Sequence, residues 1–546
     1  MPLIVENPAG SWPKRALDVK RTTCFAVWSA VGALLGWLVW ERLTLGFWAL
    51  WFVPLAWGAT ASAAEAGALM VGYYGGALTG SVVALSLFEG AWAGPLGWLA
   101  CAALLGAPWA LARAGYVGRY FPRAGEPLRY IVALLVVSLP PLGALGMASP
   151  WVAATASFPG MGLWGLALAL PASAMLVSVG ARLRIAATSD YKWRRPGRRE
   201  LAWGAAALIL VTPGAVVPTL PTVPPARLVT INTHNWEPAG KPALAHVLRQ
   251  NRQLIQGLAT RIARSPAHMT FILPEDAAVH WSPFTAWAWW PLALKAYRHH
   301  DTVALGVYMR PAGDTEKRDG LLLMGRRAGL VTARQPMPVT EWRPFMRSGA
   351  RAHWWRWGAT KVFGRPAAVL VCYEQLLVWP VAEAFVGHPA PTVLIGVSDH
   401  WWVEPGTADA TEVRMQAAVL RAWGRLYGVP VLLADNRPHV GPDRRANRAL
   451  AMAAPVTVRP IRTEYGQNTD KPEQNEKTEP KKSRLKRPIR AIYGQNTDRI
   501  RTSHKNMPIG IDQRPYGAST ASPKNYRVMA LAHMPSPRTL TPGARP

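Results

Sequence analysis

The sequence predicts a polytopic α-helical membrane domain of about seven spans, followed by an α/β domain built as sheet with covering helices. Three observations lead there. Half of the 546 residues are apolar, and early in the chain they gather into stretches of about 20 residues. A helix of that length crosses roughly 30 Å of hydrocarbon while satisfying its own backbone hydrogen bonds. Basic residues collect in alternate connections between these stretches, and from about Arg227 the pattern changes to short β-rich runs separated by amphipathic helices.

Charge is scarce and one-sided: 17% of residues are charged, against a typical figure of about 25%, yet the net charge is +30. That balance suits a membrane protein with basic loops better than a nucleic-acid binder, so the lipid bilayer is an expected partner and nucleic acid is not. The expected spans are 22–40, 44–61, 66–88, 91–112, 130–147, 151–179 and 201–220. The sixth is interrupted by Pro159 and Pro171 and reads as a tilted helix plus a re-entrant piece. Lys14, Arg15, Lys20 and Arg21 precede the first span, Arg113, Arg119 and Arg123 follow the fourth, and seven basic residues between Arg182 and Arg199 follow the sixth. These groups fall on one side, whereas the loops around Glu41 and Arg42, Glu89 and Gly90, and residues 148–150 are nearly uncharged. Short basic loops stay in the cytoplasm. Everything after Leu220 is therefore expected outside it, in the periplasm if the bilayer is a bacterial inner membrane. The first span is longer than a cleavable signal core and reads as a retained anchor. The Trp residues of this half suit the bilayer interface better than a ligand cage.

Strands are expected at 228–231, 269–273, 302–308, 320–324, 367–371, 393–397 and 429–434, with helices at 242–264 and 409–427. Four of the strands run into polar or reactive residues: Glu275, then Cys372-Tyr373-Glu374, then Ser398-Asp399-His400, then Asp435-Asn436. In open α/β sheets ligand sites form beyond the strand ends. A Glu and a Cys delivered there supply a general base and a soft nucleophile for covalent acyl transfer. Of three cysteines, Cys24 and Cys101 fall in apolar runs, so Cys372 has no disulfide partner in the globular half. A lone Cys after an apolar strand is ordinarily a small buried hydrophobe; the accompanying acidic motifs carry the sharper reading. His299, His300 and His400 have no metal-ligand spacing, and neither metal nor cofactor is expected.

These residues resemble a known family. Leu273-Pro274-Glu275, the segment 334–345, Val371-Cys372-Tyr373-Glu374 and Ser398-Asp399-His400-Trp401-Trp402 look like the carbon–nitrogen hydrolase (nitrilase) superfamily, as do Met415-Gln416, Leu420-Arg421 and Asn436. The polytopic first half narrows the resemblance to the branch containing apolipoprotein N-acyltransferase and the TraB-type conjugal-transfer proteins, over roughly residues 20–440. The resemblance implies a four-layer αββα sandwich and a Glu-Lys-Cys triad. Carried over by motif, Glu275 is the base, Cys372 forms the thioester, Glu341 is a second functional Glu, and Tyr373 and Glu374 complete the nucleophile motif. The family's Lys falls on Arg334, in a segment one residue shorter than usual, and Arg is a wider, planar donor. Arg334 with the Tyr373 N–H is expected to hold the oxyanion, or Lys361 to substitute, and Asp399 to organise the site. A thiol beside such a cation is expected to be partly ionised.

The implied activity is that of an amidase or N-acyltransferase working through a Cys thioester, with a lipid-like acyl donor, an amine acceptor and conjugation machinery as partners. A chemically silent envelope component of the same fold is the competing reading, and a basic membrane tether for DNA a third. The expected domains are 1–221, 222–454 and 455–546. The last holds an imperfect repeat, 460–470 and 488–498, and eighteen basic residues against seven acidic ones. Its composition reads as a disordered, solvated tail.

Overall fold

The computed structural model describes residues 12–42, 46–114, 125–188, 205–206, 211–212, 224–233, 244–278, 281–310, 316–346, 349–361, 363–400 and 411–436. The tail and most of the seventh expected span lie outside them. Among the described residues three helices are long and apolar enough to cross a membrane: Thr22–Glu41, Ala93–Arg113 and Gly162–Ala187. A fourth crossing exists if Ala63–Ala77 and Ser81–Glu89, bent by 68° at their junction, count as one. Of the six expected spans that the described residues cover, three or four are therefore long enough, for local reasons. The second stretch forms a 3-10 turn, Phe47–Trp51, and an eight-residue helix, Phe52–Ala59. The fifth is helical only over Glu126–Ser138, 13 residues. That is about 20 Å of helix, and Pro140 and Pro141, which have no N–H to give, follow it. The sixth breaks after Ser157, where Pro159 and Gly160 (φ 74°) intervene, and resumes as Gly162–Thr188 with Pro171 inside it.

The helix Trp12–Gly36 packs on Ala63–Ala77 through paired glycines four residues apart. A Cβ at Gly32 would lie 1.9 Å from the Leu69 carbonyl oxygen, and one at Gly76 would lie 2.1 Å from that of Ala33. Small residues at this spacing let membrane helices touch backbone to backbone. At one end of the bundle Glu126 pairs with both Arg113 (2.7 Å) and Arg184 (2.9 Å). The basic ends of the fourth and sixth expected spans therefore meet there.

The α/β half contains two sheets. In the first, β1 (Leu228–Thr230), β2 (Thr270–Ile272) and β3 (Thr302–Met309) are parallel, and β4 (Arg318–Gly325) and β5 (Gly329–Thr332) continue antiparallel. In the second, β6 (Ala368–Val371), β7 (Leu394–Asp399) and β8 (Val431–Asn436) are all parallel. The seven expected strands are present, and β5 is additional. The alternation of each strand explains the layering. Ile272, Ala304 and Leu321 meet Val369, Ile395 and Val397 between the sheets. Phe271, Val303 and Leu305 face the helices Leu244–Arg264 and Pro283–Arg298 through Leu258, Ile262 and Trp289. Leu370 and Leu394 face Val378–Phe385 and Thr411–Tyr427 through Val381, Leu420 and Trp423. The order is helices, sheet, sheet, helices.

That last core continues without a break into the helical half, through Phe158, Leu166 and Trp51. Backbone and side-chain bonds reinforce the joint: Gly160 N–H donates to the Arg425 carbonyl (2.9 Å) and Trp379 Nε1 to that of Gly143 (3.1 Å). Arg343 pairs with Glu89 at 2.9 Å. The α/β half therefore sits at the end of the bundle opposite Glu126.

Candidate active site

Glu275 and Cys372 arrive from different sheets. Glu275 follows β2 by way of Leu273 and Pro274, and it can lie close to β3 because residue 306 is glycine. A Cβ there would stand 1.9 Å from the Pro274 carbonyl oxygen and 2.5 Å from the Glu275 Cα. Cys372 ends β6 and opens the 3-10 turn Cys372–Leu376 with a φ of +35°. A non-glycine residue held in that region is strained by about 1–3 kcal/mol, a cost typical of reactive sites.

At this junction burial pushes the Cys372 thiol up to about 12, opposed by the neighbouring Glu275 carboxyl, Gln416 side chain and Asp399 backbone, with Glu341 adding to the rise. Burial also raises Glu275 well above the carboxylate range, helped by Cys372, Asp319, Glu341 and Asp399. Asp319, at the start of β4, hydrogen-bonds Glu275 and is likewise raised, by burial and then by Glu341. Glu341 reaches about 7 through burial, offset by the Met337 N–H (3.0 Å) and by Lys317. Carboxylate oxygens of Glu275, Asp319 and Glu341 lie within 4.8 Å of one another. Such a group either shares protons or holds a hard cation. These are the described residues that could present three carboxylates to a metal.

Three expected placements differ. The Arg334 guanidinium donates to the carbonyls of Arg356 (3.2 Å), Gly358 (3.0 Å) and Val369 (3.4 Å) and stands 3.6 Å from Glu383. It is committed behind the nucleophile turn. Lys361 is exposed. No Lys or Arg is among the main influences on the thiol, so the expected partly ionised Cys372 is replaced by a protonated one. Glu374 is a structural clamp: its buried carboxylate takes the backbone N–H groups of Arg334, Gln335 (3.0 Å) and Val371 (2.8 Å). Tyr373 points to the helical half and donates its hydroxyl to the Ala144 carbonyl at 2.9 Å. Asp399 takes an N–H of Asn436 at 2.7 Å.

Sequence reasoning missed Asp319, for which the only signal was a carboxylate opening an apolar strand. It also gave Gln416 no role. A hollow of about 240 Å³ at the opposite end of β1–β3, lined by Arg227, Arg326, Arg327 and Arg365 among others, contains none of these residues.

The fold and site define a class of chain in which an apolar helical bundle, with helices long enough to cross a membrane, is fused to a four-layer α/β sandwich with a carboxyl and a thiol at the strand ends. No family model matches the sequence. It is 32% identical over 399 residues to the conjugal transfer protein TraB of Agrobacterium fabrum (strain C58), covering 70% of this chain and 86% of that one. It is 27% identical over 320 residues to a probable conjugal transfer protein TraB of Sinorhizobium fredii (strain NBRC 101917 / NGR234), covering 57% and 73%. The chain belongs to the TraB family of conjugal transfer proteins. Among solved structures, an amidase from Nesterenkonia sp. matches at 14% identity over 40% of this chain and 78% of that one, with a TM-score of 0.28. A carbon–nitrogen hydrolase from Helicobacter pylori G27 matches at 10% identity over 38% and 72%, with a TM-score of 0.27. Likenesses of that order carry no functional argument.

Proposed function

We propose that this chain is a membrane-bound acyl-transfer protein of plasmid conjugal transfer, an amidase or N-acyltransferase of the nitrilase type working through a Cys372 thioester. The observation that carries the reading is the delivery of the Glu275 carboxyl and the Cys372 thiol, from two different sheets, to one buried junction at a strained strand end, where each shifts the other's proton affinity. Cys372 Sγ attacks the acyl carbon as its proton passes to Glu275. Glu275 returns that proton to the leaving amine or alkoxide, and the thioester is then taken by water or an amine with Glu275 again accepting the proton. A buried carboxyl is a stronger base once ionised, which matches a thiol that keeps its proton at rest. The Tyr373 backbone N–H is the proposed oxyanion donor from the nucleophile turn. Seating that turn on the helical half, through Tyr373 and Ala144, suits a lipid-like acyl donor and the likeness in motif to apolipoprotein N-acyltransferase.

Labelling by an activated-ester or fluorophosphonate probe tests this. Cys372→Ala is expected to abolish labelling, and Glu275→Gln to slow it by about 10²-fold or more, the usual contribution of a general base. Wild-type protein that takes no label, or a Cys372→Ala protein that still does, overturns the reading. The second reading, a silent envelope component, is favoured by one observation: no Lys or Arg stands among the main influences on the thiol. It expects plasmid transfer to be unchanged in Cys372→Ala.

A further inference from the structure

Cys372 stands at one end of a line of buried side chains that acyl transfer as written does not use. Gln416, on the helix Thr411–Tyr427, donates its amide N–H to the Cys372 carbonyl and is among the groups that lower the thiol's proton affinity. The amide is thereby oriented, and its Oε1 faces His400 Nε2 at 2.7 Å. On the other side of the ring, His400 Nδ1 lies 2.6 Å from Asp435 Oδ1. His400, Gln416 and Asp435 are 3%, 5% and 1% exposed. An amide oxygen only accepts, so Nε2 must carry a proton. The short Nδ1 contact holds a second proton between ring and carboxylate. The His–Asp pair thus contains one proton more than a neutral His beside a free carboxylate. The Asp435 carboxylate against the ring favours keeping that proton.

We propose that His400, doubly protonated between Asp435 and Gln416, is the positioning residue of Cys372, turning the Gln416 N–H edge toward the nucleophile and supplying the cation that neither Arg334 nor Lys361 brings. The proposal deepens the acyl-transfer reading and rests on Cys372 being the nucleophile. It also makes Gln416 the link through which positive charge reaches the sulfur as thiolate character develops in attack.

The test is the rate of Cys372 alkylation by iodoacetamide against pH, in the full chain carrying Cys24→Ser and Cys101→Ser. Asp435→Asn is the discriminating variant. An Asn amide can donate to Nδ1 while Nε2–H still faces Gln416, so the geometry stays and the charge leaves. Asp435→Asn and His400→Gln are both expected to move the rising limb of the profile by about one pH unit, a tenfold loss of rate at any one pH on that limb. Profiles that stay in place in Asp435→Asn, with its melting temperature near wild type, overturn the proposal. Should His400→Gln fail to fold, Asp435→Asn decides alone. Alkylation requires only a thiol, so a shifted profile in a protein that no acyl probe labels keeps this inference and defeats acyl transfer.

Discussion

Glu341 enters the carboxyl group with one oxygen already bonded to the Met337 N–H, and its raised proton affinity has a thermodynamic sign. Its folded value of about 7 stands against an ordinary 4.5. Between those limits the folded state holds a proton that the unfolded state has released, so stability falls as pH rises from about 4.5 to about 7. Glu341→Gln is expected to flatten part of that slope, Glu275 and Asp319 retaining the rest. Melting temperatures at pH 5, 6 and 7 measure it, and a slope as steep as wild type would contradict it. Arg334 shows what a motif can and cannot convey at this scale. The motif located its backbone, which indeed lies against the nucleophile turn through Glu374. It could not show the side chain turning toward Glu383, a buried partner from another element. Gln416, His400 and Asp435 were each visible as residues, but their alignment joins a helix and two strand ends that only folding brings together.

Among the elements, those with a clean period were legible and those ruled by tertiary contact were not. β6 and β7 are apolar runs stopped by reactive residues, and the helix Leu244–Arg264 carries its apolar face at helical spacing; all were readable. The four-residue β5 was not, because it is held by pairing with β4. Nor was Val378–Phe385, whose eight residues are nearly all apolar and so lack a polar face. Gly306 lies between these cases: a lone glycine inside an apolar strand signals close backbone approach, but not to what. Gly306→Ala is expected to push Pro274 and Glu275 away from β3, costing about 1–3 kcal/mol as overpacking does. It should also lower probe labelling of Cys372 more than an alanine at the exposed Arg365, at the opposite end of the strands, would. Thermal melts and labelling rates together check this, and an undiminished rate would show that Glu275 is not held by that contact.

At the scale of the molecule, apolar length alone overstated the number of crossings among the described residues, since the second and fifth expected stretches form helices too short to cross a bilayer. Loop charge is a separate signal, and the meeting of Arg113 and Arg184 at Glu126, opposite the α/β half, supports the proposal that this half lies outside the cytoplasm. Phosphatase fusions near residue 300 are expected to be active and those near residue 190 inactive; the reverse pattern would invert the topology. The joint between the halves bears on how the protein can be dissected. Leu370, Leu394, Leu420, Trp423 and Leu426 belong to the same core as the bundle, so cutting the chain before β1 would strip that face of its cover. An apolar patch of this kind drives self-association. The excised sandwich would precipitate or seek detergent, and its silence in an assay would report on a missing neighbour instead of on the chemistry of Cys372.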